Sequence, residues 1–303
     1  MNKQVLLNSK FVVVLAMSFM ASSAVGQQLP SLDNYLFTPV MISPAHAGSQ
    51  SQQVLSMVDA QWAGVPGAPR TGIISLDHHD LGGFAWNITA MNDAVGPAST
   101  GYLGLSTAYH LPINDVLRLS TGLRVAASQT SIRLDDETFY DDLDPNIYNQ
   151  QGPWRPNVDI GITLESDIFY TGFSYKNANR PQMYNNNFME PIVQFFGGYQ
   201  RELASAWTVK ANFIASATTN SPADLDLYSF IVSPSGLGFG VHYSPEDDMG
   251  VLLKINISDS WNIFYQYNTP LTELANLSRT SNVVGFAFDI YTETKTLSSP
   301  RNF

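Results

Sequence analysis

From residue 52 to residue 290 the chain returns repeatedly to one pattern, apolar and polar residues alternating with a period of two. That period gives an extended strand one greasy and one wet face, whereas a helix repeats its faces about every 3.6 residues. Leu117, Leu119, Leu123 and Val125 share one parity, and Arg118, Ser120, Gly122 and Arg124 the other. Val158, Ile160, Ile162 and Leu164 alternate with Asn157, Asp159, Gly161 and Thr163. Val251, Leu253, Ile255 and Ile257 alternate with Leu252, Lys254, Asn256 and Ser258, and Trp261, Ile263, Tyr265 and Tyr267 with Asn262, Phe264, Gln266 and Asn268. Fourteen strands are predicted, near 52–62, 71–79, 83–91, 100–110, 116–128, 157–165, 168–176, 192–201, 207–216, 224–232, 237–244, 251–257, 261–268 and 282–290. No stretch after residue 26 sustains helical spacing for three turns, so the fold class is all-β.

The connections decide how such strands close. Those after even-numbered strands read as short: Asp80-Leu81-Gly82, Pro112 to Asp115, Ser166-Asp167, Leu203 to Ala206, Ser233 to Gly236 and Ser258-Asp259-Ser260. Those after odd-numbered strands read as longer, among them 129–156, 177–191 and 269–281. Short turns on one rim and long loops on the other are the asymmetry of outer-membrane barrels, whose short turns face the periplasm. Arg118, Arg124, Asp159, Lys210 and Lys254 all fall mid-strand on the polar parity. A Lys or Arg facing lipid at the midplane would cost ~2–4 kcal/mol, so these side chains should face a wet interior. In a two-sheet sandwich they would face solvent, and that architecture stays open on charge alone. Phe169, Tyr109, Trp207 and Trp261 at one set of strand ends, and Tyr175, Tyr243 and Tyr267 at the other, sit on the apolar parity as two interfacial belts would. The expectation is a transmembrane antiparallel β-barrel of about 14 strands spanning 51–290. Its lumen is too wide for wall side chains alone to fill, so water or a plug must occupy it.

The first residues carry an export pattern: Lys3 and Lys10, the apolar run Phe11 to Met20, then small residues up to a cleavage site between Gly26 and Gln27. The apolar run, about ten residues, is too short to span a bilayer. Without residues 1–26 the chain keeps 13 Lys and Arg against 26 Asp and Glu, a net charge of −13 that excludes nucleic acid as a partner. There is no cysteine, hence no disulfide, thiolate metal site or thiol nucleophile. No Gly-x-Ser-x-Gly elbow, His-Glu-x-x-His pair or phosphate loop occurs, so no catalytic, cofactor or metal residue is assigned and an enzyme is not expected. The five histidines are scattered, and adjacent His78 and His79 point to opposite faces of a strand. Asp142-x-Asp144-x-Asn146 opens like a calcium loop but lacks the following glycine and the distal glutamate, so a solvated acidic loop is expected.

Between export signal and barrel, Pro30, Pro39 and Pro44, with Gly48 close behind, preclude a long helix or a central strand. Segment 27–50 is therefore expected as an irregular N-terminal arm, and its Leu32, Tyr35, Leu36, Phe37, Val40, Met41 and Ile42 require burial. The arm is expected to fold into the lumen as a partial plug, with Tyr35, Phe37, Pro39, Ile42 and Pro44 as the candidate plug residues. A mobile leader, or docking on a periplasmic partner, stays open. Residues 291–303 would be a periplasmic tail. On the long-loop rim the candidate partner-binding residues are Trp62, Pro66, Asp135, Asp136, Glu137, Asp141, Asp142, Asp144 and Trp154.

Several segments also occur in a telling order: Gln28-Leu29-Pro30, Tyr35-Leu36-Phe37-Thr38-Pro39, and Ile42-Ser43-Pro44-Ala45-His46-Ala47-Gly48. They are followed by Gln61-Trp62-Ala63-Gly64-Val65-Pro66-Gly67-Ala68-Pro69-Arg70-Thr71, by Asn92-Asp93-Ala94-Val95-Gly96-Pro97, and at the end by Ser299-Pro300-Arg301-Asn302-Phe303. In that order and spacing the chain resembles the PorP/SprF family of type IX secretion system membrane proteins. It departs from the family before the last strand, where a Ser/Thr-His-Glu triplet is expected and Arg279-Thr280-Ser281-Asn282 stands. The resemblance implies an outer-membrane barrel working with the type IX apparatus. Its implied partners are secreted cargo or a gliding adhesin, other type IX components, and outer-membrane lipid. The alternative from another class is a channel or transporter for small solutes.

Overall fold

The computed structural model describes residues 36–49, 52–79, 82–134, 149–182, 188–203, 206–219, 221–245, 247–271 and 280–290. The cleavage site at Gly26 and Gln27, Tyr35, the acidic residues Asp135, Asp136, Glu137, Asp141, Asp142 and Asp144, and the tail 291–303 lie outside these residues.

In chain order the strands are β1 (Gln53–Ala60), β2 (Arg70–His79), β3 (Phe84–Val95), β4 (Ala98–Pro112), β5 (Arg118–Ile132), β6 (Gln150–Gln151), β7 (Arg155–Glu165), β8 (Phe169–Lys176), β9 (Ile192–Glu202), β10 (Thr208–Thr218), β11 (Ser221–Val232), β12 (Gly238–Tyr243), β13 (Asp248–Asn256), β14 (Trp261–Pro270) and β15 (Ser281–Asp289). Two-residue β6 only extends the end of β5, pairing Ser131 with Gln151. The other fourteen each pair antiparallel with their chain neighbours, and β15 returns to β1 with Met57 opposite Gly285. The ring is closed. Closure leaves no edge strand and pairs backbone groups internally, the condition for crossing hydrocarbon with strands. No helix among the described residues is long and apolar enough to cross a membrane.

The parity read from the sequence sets the two faces. Leu253 is 39 % exposed on the outside and its neighbour Leu252 is fully buried inside. Arg118, Arg124, Asp159, Lys210 and Lys254 all point inward and are buried. Tyr109, Trp207 and Trp261 at one rim, and Tyr243 and Tyr267 at the other, are exposed on the outer face. Phe84, opposite Tyr109, and Tyr199, opposite Phe169, extend the first of these belts.

One rim carries only short turns, as expected. The other does not carry only long loops. β3 and β4 are joined by Gly96 and Pro97 alone, with Gly96 at φ +54, and β10 and β11 by residues 219–220. Here the strands run on past their apolar spans through Asn92, Asp93, Ser99 and Thr100, which hold strand pairing through hydrogen bonds such as Ser99 Oγ to Asn92 Oδ1. Polar residues on both faces carry no period-two signal, so these extensions read as loops in the sequence.

The interior departs from expectation in a second way. It is not lined by hydrophilic residues alone: Leu55, Met57, Ile73, Phe196, Ile214, Phe230, Leu252 and Phe264 face inward and are buried in one hydrophobic cluster with the N-terminal arm.

Candidate functional site

The site is the lumen and what fills it. Residues Leu36 to Ser49 lie inside the barrel as a four-residue helical turn, Pro39–Ile42, followed by a 3-10 turn, Pro44–His46. Each turn begins on a proline, at the position where a missing N–H costs nothing and the fixed φ suits a helix. Ser43 caps the second turn by accepting from Ala45 N. His46 ties the two turns together through Nδ1 and the Pro39 carbonyl at 2.8 Å, while its ring packs edge-on to Phe196.

The wall is shaped to this segment. On β5 and β7, Gly122 and Gly161 face each other in register. A Cβ on Gly122 would collide with the backbone of Pro44 and Ala45, and one on Gly161 with the Ser43 side chain. The two glycines therefore form a seat in which arm backbone meets strand backbone. Phe37 stacks on Phe264 with ring centroids 3.8 Å apart, and Val40, Met41 and Ile42 are buried nearby.

Polar wall groups take up the backbone carbonyls that so short a segment cannot satisfy itself. Arg124 Nη1 donates to Val40 O at 2.8 Å, and Ser174 Oγ donates to Ile42 O at 2.8 Å. His110 Nε2 lies 2.9 Å from Ala47 O, its other ring nitrogen on Ser120. Gly48 N donates to Asp77 Oδ1 at 2.8 Å. Arg124 is held in turn: its Nε donates to Asp159 Oδ2 at 2.7 Å, and Asp159 Oδ1 accepts from the Asn177 backbone N–H at 2.8 Å. Asn177, at φ +56, opens the long segment between β8 and β9, and its amide bonds Asn157 and the Glu190 carbonyl. One carboxylate thus joins the arm's anchor to a loop of the long-loop rim. A second inward pair on the same two strands, Arg118 with Glu165, lies near the short-turn rim.

The far wall near the long-loop rim is acidic. His242 on β12 lies between Asp226 on β11 and Asp248 on β13, at 3.1 and 3.2 Å. Asp224 and Asp247 stand beside them. Asp247, outside the strands, has its carboxyl pushed up to about 6, first by desolvation and then by the charges of Asp248, Asp224 and Asp226, with His242 opposing. No group of three His, Asp or Glu among the described residues is placed to hold a metal ion.

Of the candidate plug residues, Phe37, Pro39, Ile42 and Pro44 lie together inside the barrel. Trp62 and Pro66 sit on the loop between β1 and β2, exposed at the long-loop rim, and Trp154 stands exposed at the start of β7, beside Gly101. Trp62 and Pro66 share one loop, and Trp154 comes from a different segment of the chain. Sequence reasoning did not single out His46, His110, Ser174 or Asn177. The clue was there for the glycines, since Gly122 and Gly161 interrupt the inward parity of β5 and β7, but it acquires meaning only once those strands are neighbours.

A closed ring of fourteen strands, apolar outside and carrying part of its own chain within, is an outer-membrane β-barrel. The chain belongs to the PorP/SprF family: the description type IX secretion system membrane protein PorP/SprF matches residues 24–288. Among solved structures it is similar to the Ralstonia pickettii toluene transporter TbuX, at 11 % identity, covering 84 % of this chain and 94 % of that one with a TM-score of 0.51. It is similar also to the CymD monoaromatic hydrocarbon channel, at 10 % identity over 85 % and 94 % with a TM-score of 0.50. For the KdgM porin the figures are 10 %, 79 % and 99 %, with a TM-score of 0.42. At such identities the likeness is one of fold. A search of curated proteins finds no match.

Proposed function

We propose that this barrel serves the type IX system as a binding or anchoring component, one that receives an exported surface protein at its long-loop rim while its own arm keeps the lumen shut. The observation that carries the reading is the arm: Leu36 to Ser49 lie in the interior and are held there by Arg124, Ser174, His110 and Asp77. A wall with glycine seats and carbonyl-binding side chains matched to one segment favours a permanent occupant over passing solute. Short turns face the periplasm in barrels of this kind, which puts the exposed Trp62, Pro66 and Trp154 at the cell surface. They offer a rim of aromatic and proline surface to a large partner, and the acidic far wall adds a preference for a basic one.

Conductance in planar bilayers tests the reading. The intact barrel should be silent, and deletion of residues 36–49 should open steady channels while the barrel still folds. Steady conductance by the intact protein would instead favour a diffusion channel. Affinity capture from detergent-solubilised membranes should bring down an exported protein together with type IX components, and the catch should survive deletion of the arm.

A further inference from the structure

The segment between β8 and β9 is tied down at its base, just where the β8 ladder stops. β8 pairs with β7 as far as Tyr175, opposite Ile160. Beyond it the chain stays on the outer end of β7. Ala178 N donates to Val158 O at 2.8 Å, and Asn179 accepts from Val158 N and donates to Pro156 O. Glu190, on the returning side, closes the base through its ion pair with Arg180 at 2.7 Å and through its carbonyl, which accepts from Asn177. These ties are of two kinds. Those of Asn179 and Arg180 are exposed to water, where such bonds contribute little and open readily. That of Asn177 N to Asp159 is buried, and Asp159 holds Arg124, which holds the arm at Val40. Arg180, at φ +45, occupies left-handed backbone that a residue with a Cβ adopts at a cost, so lifting the base relieves strain.

Burial makes Asp159 sensitive to the loss of one donor. Lifting the base takes the Asn177 N–H away, and a desolvated carboxylate left short of a donor must find another. A second cation is at hand. Lys176, the residue before Asn177, is buried on the inner face of β8 and feels the charges of both Asp159 and Arg124. Turning Asp159 toward Lys176 takes it from Arg124 Nε, and Arg124 is the arm's anchor at Val40. We propose that the base of the β8–β9 segment and the arm form one coupled device. A partner that lifts the base at the long-loop rim loosens the arm in the lumen, and an arm that leaves the lumen loosens the base. The coupling runs equally in both directions, because one free energy links the two sites. The device needs only the arm's seat in the lumen. The receptor reading supplies a partner able to work it, and the two stand or fall separately.

Hydrogen exchange of backbone amides, read by mass spectrometry on the full-length barrel in detergent, tests the device. Asn179→Ala and Arg180→Ala release the base without touching Arg124, Asp159 or the arm. Each should speed exchange in residues 36–49 by roughly threefold or more, a coupling at the lower end of the usual range. Phe37→Ala, which frees the arm from the opposite wall at Phe264, should speed exchange in 177–182 in return. Trp62→Ala, on a rim loop outside the relay, should change neither. In the background Arg124→Met with Asp159→Leu the relay is cut, and Asn179→Ala should no longer reach the arm. That comparison separates coupling from general loosening. Folding of each variant is read from the shift in gel mobility between unheated and heated samples. If neither base variant folds, the response of 177–182 to Phe37→Ala decides alone. Unchanged exchange in the arm when the base is released, or an equal response with the relay cut, overturns the proposal. An arm that exchanges as fast as free peptide in the natural barrel overturns the device and the shut lumen together. Capture of an exported polypeptide is scored apart from exchange, so failure of the receptor reading is told from failure of the device.

Discussion

Arg124 shows how much structure one buried side chain organises. It is 2 % exposed, and its guanidinium spans from Asp159 on the neighbouring strand to the Val40 carbonyl of the arm. Removing one partner of a buried ion pair strands the other, at a cost of roughly 3–5 kcal/mol, whereas replacing both with apolar groups of similar size is often neutral. Asp159→Ala should therefore destabilise the folded barrel by that order, read as a lower urea midpoint, and the pair Arg124→Met with Asp159→Leu should recover much of the loss while still loosening the arm. Asp247 gives a residue-level prediction in pH. Its carboxyl is held up at about 6 in the folded chain, against 3.8 for an ordinary aspartate. A raised acid binds its proton more tightly when folded, so its contribution is intact below about pH 4 and is lost as the pH rises through about 6. Carbon chemical shifts should place the Asp247 midpoint near 6, and Asp248→Asn should bring it down. A midpoint near 4 in the natural sequence would refute the crowding described for this rim. None of these partnerships was legible in the sequence. Arg118 and Arg124 read there as inward charges because lipid excludes them, but their carboxylates are named only by the register that sets Glu165 and Asp159 directly opposite.

At the scale of the element, the strands were the legible part and the arm only half so. An outward face must be apolar in hydrocarbon, and that demand writes the period of two into every membrane-crossing segment. Beyond the hydrocarbon the demand lapses, which is why the two-residue turn at Gly96 and Pro97 was read as part of a longer loop. The arm announced its need for burial through its apolar residues, and its irregularity through its prolines. Its resting place depends on contacts across the interior that leave no periodic trace. Gly122 and Gly161 are the elements' point of contact, so Gly122→Val should push the arm from its seat. Overpacking of this kind costs about 1–3 kcal/mol, enough to release a short segment without dismantling a closed ring. Limited proteolysis should then cut within 36–49, a stretch protected in the natural protein, while heat-dependent gel mobility stays unchanged.

At the scale of the whole molecule, two hydrophobic surfaces share one wall. The outer one faces lipid, and the inner one packs on the arm. Neighbouring leucines on β13 separate them: Leu253 faces out at 39 % exposure, and Leu252 faces in, fully buried. Leu253→Arg should cost ~2–4 kcal/mol of membrane stability and lower the yield of inserted barrel. Leu252→Arg should leave the lipid face intact and instead disturb the arm, seen as new conductance from a barrel that still inserts. If the two variants behaved alike, the assignment of faces would be wrong.

The ring is completed by the pairing of β1 with β15, the first and last staves, and the arm comes earlier in the chain than either. The stopper is therefore part of the same polymer as the vessel, tethered next to the first stave, and it cannot diffuse away when its contacts break. A segment tethered in this way competes for its glycine seats at a high local concentration, so an arm that lets go is recaptured instead of lost.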